Sequence, residues 1–186
     1  MTDLATIKAA ARTAAFAARK RAHQEATGTG AGLLSGILAG YRGVPLAGYM
    51  PIRTEIDPLP AMEEAAAHGP VGVPVIQAQG KPLRFARWEP DQKMTDGPFG
   101  ACVPEKQDFF EPEIVIVPLV AFDLKGGRLG YGGGFYDRTL ELLRGKRATL
   151  AIGFAYDAQE ADTLPLEATD QPLDMIVTNT RVLDLR

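Results

Sequence analysis

The sequence predicts an α/β fold with a mostly parallel central sheet. Short apolar runs typical of buried strands alternate with stretches of helical spacing along most of the chain, as in parallel sheets with helical crossovers. The strongest run, Ile114 to Val120, is apolar throughout and rich in β-branched residues, which is typical of a central parallel strand. The length of 186 residues corresponds to one domain. No repeat or low-complexity linker divides the chain, so we assign residues 1–186 to a single domain.

The first elements along the chain are two predicted helices. Residues 4–26 are rich in alanine and contain neither glycine nor proline, and Thr2 or Asp3 can cap the first turn. The glycine-rich segment 28–32 ends this helix. Apolar residues then recur at spacings of three and four over 33–41, which predicts a second helix.

The rest of the chain alternates between apolar runs and helical stretches bounded by glycine or proline. Apolar runs rich in β-branched residues predict strands, and stretches with one apolar face predict helices. On these signals strands are predicted at 46–52, 71–77, 83–88, 114–120, 150–155 and 175–178, and further helices at 60–68 and 135–143. A loop rich in proline, glycine and aspartate is predicted between the third strand and Pro112.

The rare residue types exclude several kinds of site. The single serine, Ser35, lacks the Gly-x-Ser-x-Gly elbow of a serine hydrolase. The single cysteine, Cys102, forms neither an internal disulfide nor a cysteine-based zinc site. Two histidines, His23 and His68, do not suffice for a three-histidine metal centre. A lone thiol is typical of the reducing cytoplasm, where we expect this protein to act as a monomer.

The charge balance predicts neither nucleic-acid nor membrane binding. Twenty Lys+Arg against 23 Asp+Glu give a net charge of −3, so the chain has no global positive field. The longest apolar run, 114–122, is far shorter than the roughly 20 residues that span a bilayer. Charged residues also interrupt the N-terminal segment where a signal peptide would be apolar.

A glycine cluster, residues 130–134, lies between the strongest strand and a predicted helix. Ligands of open α/β sheets bind at the carboxyl ends of strands, which is where this cluster falls. Glycine N–H groups can surround an anion, the helix N-terminus adds its positive dipole end, and Arg128 can neutralise a phosphate oxygen. The alternative interpretation is a tight turn, since glycine readily adopts left-handed conformations.

Two familiar phosphate-binding loops do not match this cluster. The Walker pattern requires Gly-Lys-Ser/Thr, which the chain lacks, and the dinucleotide fingerprint requires a small residue where Phe135 stands. Asp137 follows in the first turn of the predicted helix. A carboxylate there is either a favourable helix-end charge or a Mg²⁺ ligand beside bound phosphates.

The same segment carries a long motif. Residues 128–138 are Arg-Leu-Gly-Tyr-Gly-Gly-Gly-Phe-Tyr-Asp-Arg, preceded at 117–123 by Val-Pro-Leu-Val-Ala-Phe-Asp. This motif closely resembles the signature of the 5-formyltetrahydrofolate cyclo-ligase family, also called 5,10-methenyltetrahydrofolate synthetases. The resemblance covers most of the chain and extends to Lys8-x-x-x-Arg12, Tyr49-Met-Pro-Ile-Arg-Thr-Glu-Ile-Asp57, Phe99-Gly-x-x-x-Pro-Glu105 and Asp170-Gln-Pro-Leu-Asp-Met-Ile-Val-Thr178.

The resemblance implies a single-domain, Rossmann-like three-layer fold and a defined reaction. In this family ATP, as co-substrate, and Mg²⁺ drive conversion of 5-formyltetrahydrofolate into 5,10-methenyltetrahydrofolate, with release of ADP and phosphate. The formyl oxygen is a poor leaving group, so the expected route transfers the γ-phosphoryl group to it before N10 closes the ring. Such chemistry requires mainly positioning and charge stabilisation, which suits a site without a serine, cysteine or histidine nucleophile.

Family analogy also implies roles for residues of this chain. The implied catalytic residues are Arg128, Tyr136 and Asp137. The implied ATP-binding residues are Lys8, Arg12, Arg128, Leu129, Gly130, Tyr131, Gly132, Gly133, Gly134, Phe135 and Tyr136. The implied substrate-binding residues are Met50, Glu55, Tyr131 and Phe135, and the implied Mg²⁺ ligands are Asp137 and Asp174, with Asp170 as a neighbour of the metal. The remaining basic residues of the first helix, Arg19, Lys20 and Arg21, are interpreted as solvated.

Two departures from the family pattern and two alternative functions stay open. Gly133 stands where other members can carry a basic residue, and Thr169 precedes Asp170 where a histidine is expected.

A relative that acts on another formylated or pterin-like substrate would keep the glycine cluster and Asp137 but would not need Glu55. A folate- or nucleotide-binding module without turnover would bind without Mg²⁺ and form no ADP.

Overall fold

The computed structural model describes residues 3–186, which form twelve strands and four α-helices. The strands are β1 (Leu46–Ala47), β2 (Val71–Val75), β3 (Arg84–Arg87), β4 (Met94–Asp96), β5 (Cys102–Pro104), β6 (Phe109–Phe110), β7 (Ile114–Pro118), β8 (Ala121–Phe122), β9 (Arg128–Leu129), β10 (Leu150–Ala155), β11 (Met175–Thr178) and β12 (Val182–Asp184). The helices are α1 (Leu4–Glu25), α2 (Gly32–Leu38), α3 (Leu59–Ala66) and α4 (Phe135–Lys146), with 3₁₀ turns at Ala39–Tyr41, Pro98–Gly100 and Asp157–Gln159. Within residues 3–186 every helix is too short or too polar to be a membrane-spanning segment.

Eight strands form one mixed sheet in the order β12-β11-β10-β7-β1-β2-β3-β6. The five strands from β11 to β2 run parallel, whereas β12 at one edge and β3 and β6 at the other pair antiparallel with their neighbours. Along β7, Ile114 and Ile116 enter one core while Val115 and Val117 enter the other. Burial on both faces explains why these four successive residues are all apolar.

Helices cover both faces of the sheet and give three layers. Leu34 of α2 and Met62 of α3 share a core with Ile116. Leu140 and Leu143 of α4 belong to the core on the opposite face. The predicted α/β fold, with three layers and a mostly parallel central sheet, is therefore confirmed.

The connections between parallel strands reverse their direction between β1 and β7. From β1 the chain crosses through α3 to β2, and from β7 it crosses through α4 on the opposite face to β10. In doubly wound sheets the carboxyl ends of the two strands at such a point open a crevice where ligands bind. The segments that follow β1 and β7, residues 48–57 and 119–134, therefore carry the expected site.

The first helix is present as predicted, but the first strand is shorter than predicted. α1 is capped by Asp3, whose Oδ1 accepts a hydrogen bond from the backbone N of Thr6 at 2.7 Å. Of the strand predicted at 46–52, only the two residues of β1 join the ladder. After β1 the chain leaves the sheet at its carboxyl edge, where Tyr49 is buried.

Three short strand pairings lie where the sequence predicts loops. β4 and β5 form a hairpin whose tip carries Phe99, a non-glycine residue with a left-handed φ of 59°. β6 pairs with β3, and β8 pairs with β9 just before the glycine cluster. Each of these pairings joins two or three residues per strand, so the distant partner rather than the local sequence determines it.

Candidate active site

A cleft of about 950 Å³ opens at the carboxyl ends of β1 and β7. Met50 after β1 and Pro118 at the end of β7 line it, together with the glycine cluster, one face of α1 and the tip of the β4–β5 hairpin. This is the point where the strand connections reverse, so the cleft occupies the position that doubly wound folds favour for ligands.

Most of the residues singled out from the sequence line this one cleft. The lining residues among them are Lys8, Arg12, Met50, Glu55, Arg128, Leu129, Gly130, Tyr131, Gly132, Gly133, Gly134, Phe135, Tyr136, Asp137, Thr169 and Asp170. They come from α1, the segment after β1, the segment from β9 into α4, and the segment before β11. The fold therefore brings together four stretches that are far apart in the chain.

The glycine cluster is held open by its backbone conformation and by arginines on either side. Gly132 and Gly134 have φ of 102° and 66°, a region that glycine alone adopts without strain. Arg12 Nε donates a hydrogen bond to Gly130 O at 2.8 Å, and Arg138 of α4 contacts Gly133 O. Gly134 is the N-cap of α4 and has no side chain to bond the first N–H groups of the helix, so those groups remain available to an anion.

Arg128 and Asp137 form a largely buried ion pair beside this cluster. Arg128 Nη2 lies 2.6 Å from Asp137 Oδ1, and the Arg128 residue is only 7% exposed. Burial lowers the pKa of Arg128, while the carboxylates of Asp137 and Asp170 oppose this effect. Gln171 N donates to the same Oδ1 at 2.8 Å. Within residues 3–186, Asp137 Oδ2 accepts no hydrogen bond and remains available to a ligand.

Lys8 forms a second set of ion pairs across the cleft. Its Nζ lies 2.6 Å from Glu167 Oε2 and 3.1 Å from Asp170 Oδ2. Burial acts to lower the pKa of Lys8, but the hydrogen bonds to both carboxylates outweigh it, and the pKa is raised. Asp170 Oδ1 has no hydrogen-bond donor in the described part of the chain.

Glu55 is a buried carboxylate aimed into the cleft by the turn that follows β1. It is 6% exposed, and its Oε2 accepts a hydrogen bond from Ile52 N while its Oε1 accepts one from the Tyr131 hydroxyl, both at 2.9 Å. Burial raises the pKa of Glu55. The hydrogen bonds from Ile52 and Tyr131 oppose this rise, and so do the positive charges of nearby arginines. Burial and the Glu55 charge raise the pKa of Tyr131 to about 12, so its hydroxyl remains a donor.

Tyr136 places a second phenol hydroxyl in the same region. This hydroxyl is buried and has no hydrogen-bond partner in the described residues. Burial, followed by the charge of Glu55, raises its pKa well above the usual range. Burial of an unpaired donor is unfavourable for the fold unless a ligand accepts its hydrogen bond.

Asp174 is not part of the cleft, in contrast to the implied metal role. It precedes β11 at the amino end of that strand, whereas the cleft lies at the carboxyl ends. Its Oδ2 accepts hydrogen bonds from Ala151 N at 2.7 Å and from Arg144 Nη2 at 2.9 Å. The acidic residues that line the cleft with Asp137 are Glu55, Glu141, Glu167 and Asp170.

Arg19 is the clearest residue that the sequence interpretation missed. It was expected to be solvated with Lys20 and Arg21, yet it is 1% exposed while the other two are exposed as expected. The spacing contains a signal, because Arg19 follows Lys8 and Arg12 on the same helical face. A face with three basic residues that continues into a cleft is not simply solvated.

Two further residues line the cleft: Phe99, which the sequence offers as a candidate aromatic wall, and Arg53, to which the sequence analysis assigns no role. Phe99 at the hairpin tip is 75% exposed and its ring centroid lies 6.5 Å from that of Phe135. Arg53 has a left-handed φ of 54°, and its guanidinium carbon lies 5.6 Å from the Tyr131 ring centroid. No local sequence signal predicts a left-handed backbone at either residue.

Comparison with known proteins adds a family. The family model described as 5-formyltetrahydrofolate cyclo-ligase family matches residues 8–179. A 5-formyltetrahydrofolate cyclo-ligase of Haemophilus influenzae is 44% identical over 101 residues, which are 51% of this chain and 54% of that protein, so the chain matches about half of that relative's length. One of Mycolicibacterium smegmatis is 27% identical over 160 residues, which are 80% of this chain and 81% of that protein.

Two solved structures share the fold. The NMR structure of Aquifex aeolicus 5,10-methenyltetrahydrofolate synthetase superposes with a TM-score of 0.77 at 27% identity, covering 97% of this chain and 93% of that one. A 5,10-methenyltetrahydrofolate synthetase from Mycoplasma pneumoniae superposes with a TM-score of 0.65 at 22% identity, covering 91% of this chain and 97% of that one. The second likeness is one of fold alone.

Proposed function

Because the chain belongs to the 5-formyltetrahydrofolate cyclo-ligase family, we propose that it converts 5-formyltetrahydrofolate into 5,10-methenyltetrahydrofolate at the expense of ATP. One observation carries the proposal: a glycine cluster, a set of cations and a buried carboxylate meet in a single cleft at the switch point of the sheet. The cleft has separate polar groups for a polyphosphate and for a ring that donates hydrogen bonds.

The polyphosphate binds along the glycine cluster. The N–H groups of 130–134 and of the first turn of α4 donate hydrogen bonds to phosphate oxygens, and Lys8, Arg12 and Arg128 supply positive charge. Gly133 contributes no cation where other members can carry one, so more of the neutralisation falls to these three side chains.

The donor set at the cleft suits Mg²⁺. This ion takes one or two carboxylates together with phosphate oxygens and waters. Among the aspartates that line the cleft, the oxygens that accept no hydrogen bond in the described residues are Asp137 Oδ2 and Asp170 Oδ1. We therefore replace the implied pair of Asp137 and Asp174 by Asp137 and Asp170. Within residues 3–186 no group of three or more acidic, histidine or cysteine side chains is arranged to hold a metal without added ligands. Bound there, Mg²⁺ would neutralise charge on the phosphates.

The folate binds with its pterin ring against Glu55. An ionised carboxylate accepts hydrogen bonds from the ring N–H groups, and Tyr131 already fixes the orientation of this carboxylate. Met50, Tyr131 and Phe135 provide the apolar surface on which the ring packs. Phe99 extends that surface at the mouth of the cleft.

The reaction consists of two displacements that the protein promotes by orientation and charge. The formyl oxygen attacks the γ-phosphorus and ADP leaves; N10 then attacks the activated carbon and loses its proton, and phosphate leaves with the original oxygen. Arg128 stabilises negative charge on the phosphoryl oxygens. The hydroxyl of Tyr136, kept protonated by its raised pKa, donates a hydrogen bond to the group in transfer.

The experiment is to mix the protein with 5-formyltetrahydrofolate and Mg·ATP and to follow the absorbance of the methenyl product. We expect product and ADP in equal amounts and no product without ATP. Arg12→Gln should weaken ATP binding, whereas Arg21→Gln on the exposed face of α1 serves as a matched control.

Other outcomes separate the alternatives. ADP formed with another formylated substrate, but not with this one, would assign the chain to a relative on the same scaffold. Tight binding of folate or nucleotide without ADP and without a requirement for Mg²⁺ would assign it to a binding module.

A further inference from the structure

Arg19 of α1 joins three segments that border the cleft. Its Nε donates a hydrogen bond to Thr54 Oγ1 at 3.0 Å, and its Nη1 donates to Leu119 O at 3.4 Å. Its guanidinium carbon lies 5.4 Å from the ring centroid of Tyr131 in the glycine cluster. One side chain thus contacts the turn that presents Glu55, the residue that follows β7 and the glycine cluster.

The surroundings of Arg19 are those of a desolvated cation rather than of a surface residue. Its guanidinium also lies 5.2 Å from the centroid of Phe16, so two aromatic rings flank it. Its Nη2 is buried and has no hydrogen-bond partner in residues 3–186. No carboxylate in the described chain lies within ion-pair distance of it. A buried, incompletely paired charge is costly to the fold, which favours a role in the site.

The positive charge of Arg19 acts on the carboxyl group of Glu55, whose pKa it lowers against the effect of burial. Thr54, which accepts from Arg19, is its neighbour in the chain, and Tyr131, which packs on Arg19, donates to its Oε1. The charged and titratable groups that face Glu55 are Arg19 from α1, Tyr49 after β1, Arg53 on its own turn, Tyr131 from the glycine cluster and Tyr136 from α4. Arg53 is exposed to solvent, so Arg19 is the buried cation of this set.

We propose that Arg19 is a positioning residue that keeps Glu55 ionised and holds Tyr131 against it, so that the carboxylate is ready to receive the folate ring. This inference rests on the proposed function, because it presumes that folate binds at Glu55. Arg19 does not line the cleft and does not touch substrate; it acts through Thr54, Tyr131 and Glu55.

The test compares Arg19→Met, which keeps length without charge, with Arg19→Lys, which keeps charge without the planar fork. Binding of 5-formyltetrahydrofolate is measured by calorimetry from mildly acidic to mildly alkaline pH, together with kcat and KM for both substrates. Arg21→Met, at an exposed position of the same helix, is the control. Circular dichroism and thermal melting verify that each variant folds.

For Arg19→Met we expect folate affinity to fall about tenfold at neutral pH, with the KM for ATP changed less than about twofold. Folate affinity should fall at acidic pH as Glu55 is protonated, and we call this fall the acidic limb. Loss of the positive charge makes Glu55 easier to protonate, so this limb moves to higher pH by about one unit. Arg19→Lys should weaken folate binding but leave that limb in place. Thr54→Val removes only the Nε acceptor, and it should also weaken folate binding without moving the limb.

An acidic limb that coincides for Arg19→Met and the wild type, or equal losses of folate and ATP affinity, would overturn the inference. Should Arg19→Met fail to fold, Arg19→Lys and Thr54→Val decide: unchanged folate affinity in both contradicts it. The calorimetry does not depend on turnover. A wild-type chain that binds folate with this pH dependence but forms no product would remove the proposed function and leave the inference standing.

Discussion

Glu55 is a carboxyl group at a position where burial makes a negative charge costly. Its folded-state pKa is raised, with burial as the largest cause. Because the fold favours the protonated form of this carboxyl group, the group contributes stability that is fully present below its unfolded pKa. That contribution is lost as pH rises through the folded pKa. Ionisation of this buried side chain, as pH rises through its folded pKa, therefore lowers the free energy of unfolding. Under the proposed function, the fold keeps a carboxyl group that is costly to ionise because folate recognition requires it.

The variant Glu55→Gln should gain stability and lose folate. We expect its melting temperature at neutral pH to rise by about 2 to 4 °C, the shift that about 1 kcal/mol produces in a chain of this length. The difference should vanish below the unfolded pKa of the carboxyl group, because both side chains are then neutral. Thermal melts at neutral and acidic pH, with calorimetric titration of folate and of ATP, measure both effects.

The control is Glu63→Gln, an exposed residue of α3, which should change neither property. A lower melting temperature for Glu55→Gln at neutral pH would show that the charge stabilises the fold. Equal losses of folate and ATP affinity would contradict its assignment to the folate.

The three aspartates near α4 provide a test of the metal assignment. Asp137→Asn and Asp170→Asn should each raise the Mg²⁺ concentration needed for half-maximal rate about tenfold to a hundredfold, because each removes a carboxylate oxygen from the cleft. Asp174→Asn should leave that concentration unchanged, although it weakens contacts with Ala151 and Arg144 and lowers stability by about 1 kcal/mol. Initial rates in a Mg²⁺ series decide the assignment, and a large effect of Asp174→Asn would restore the original pair.

Residues within one continuous motif were easier to predict than residues that act from a distance. The glycine cluster, Arg128 and Asp137 were identified because glycine spacing and a following helix are local signals, and the family resemblance implied roles for the other residues of the motif. The burial of Arg19 depends on Thr54 and Tyr131, which no local pattern connects to it. Likewise, no local pattern distinguishes Asp170, which lines the cleft, from Asp174, which bonds Ala151 and Arg144 at the amino end of β11.

At the level of elements, helices and buried strands were predictable, and short pairings were not. α1 and α4 have continuous helical composition, and β7 and β10 are apolar over five and six residues. The β4–β5 and β8–β9 hairpins have too few residues for a periodic pattern. The two-residue β1 was overpredicted because apolar residues continue into the segment that turns toward the cleft.

The segment before α4 depends on left-handed glycines, and Gly132→Ala tests this dependence. At a φ of 102° a side chain is strained, and the added Cβ would lie 3.3 Å from the Arg12 guanidinium. We expect stability to fall by about 1 to 2 kcal/mol and the KM for ATP to rise about tenfold through displacement of Arg12. Denaturant titration and steady-state kinetics measure the two effects.

Gly36→Ala in α2 is the matched control for this substitution. Its Cβ would meet open space and its φ is not left-handed, so the helix should gain up to about 1 kcal/mol with unchanged kinetics. An unchanged KM for ATP in Gly132→Ala would show that the cluster tolerates a side chain and does not approach phosphate closely.

At the level of the whole molecule, α1 attaches to the sheet mainly through polar contacts. Arg12 bonds Gly130 O, Arg19 bonds Leu119 O, and His23 Nδ1 lies 3.1 Å from the Tyr156 hydroxyl. Ala22 is the residue of α1 that packs against the apolar core. A helix with little buried apolar surface opens at low free energy, so occupancy of the cleft should affect it more than the rest of the fold.

Hydrogen exchange should reveal this coupling. We expect Mg·ATP to slow exchange of the α1 amides strongly while the already protected β7 and β10 change little, because the ligand adds contacts through Lys8 and Arg12. The Arg12→Gln variant should lose most of the extra protection. Equal protection of α1 with and without nucleotide would contradict a phosphate role for this helix.

Under the proposed function, the paired charges of the cleft also affect which form of the nucleotide binds. Arg128 lies on Asp137 and Lys8 lies on Asp170, so cations and carboxylates satisfy one another while no ligand is bound. Under the proposed function, binding of a metal–polyphosphate complex would replace both ion pairs. The two carboxylates would then bind the metal, and the two cations would bind the phosphates. Uncomplexed nucleotide would leave two carboxylates facing added negative charge, and the free metal would leave two cations without counterions. The proposed function therefore predicts that the protein favours the complex, which conserves the number of ionic contacts, and that excess free nucleotide inhibits it only weakly.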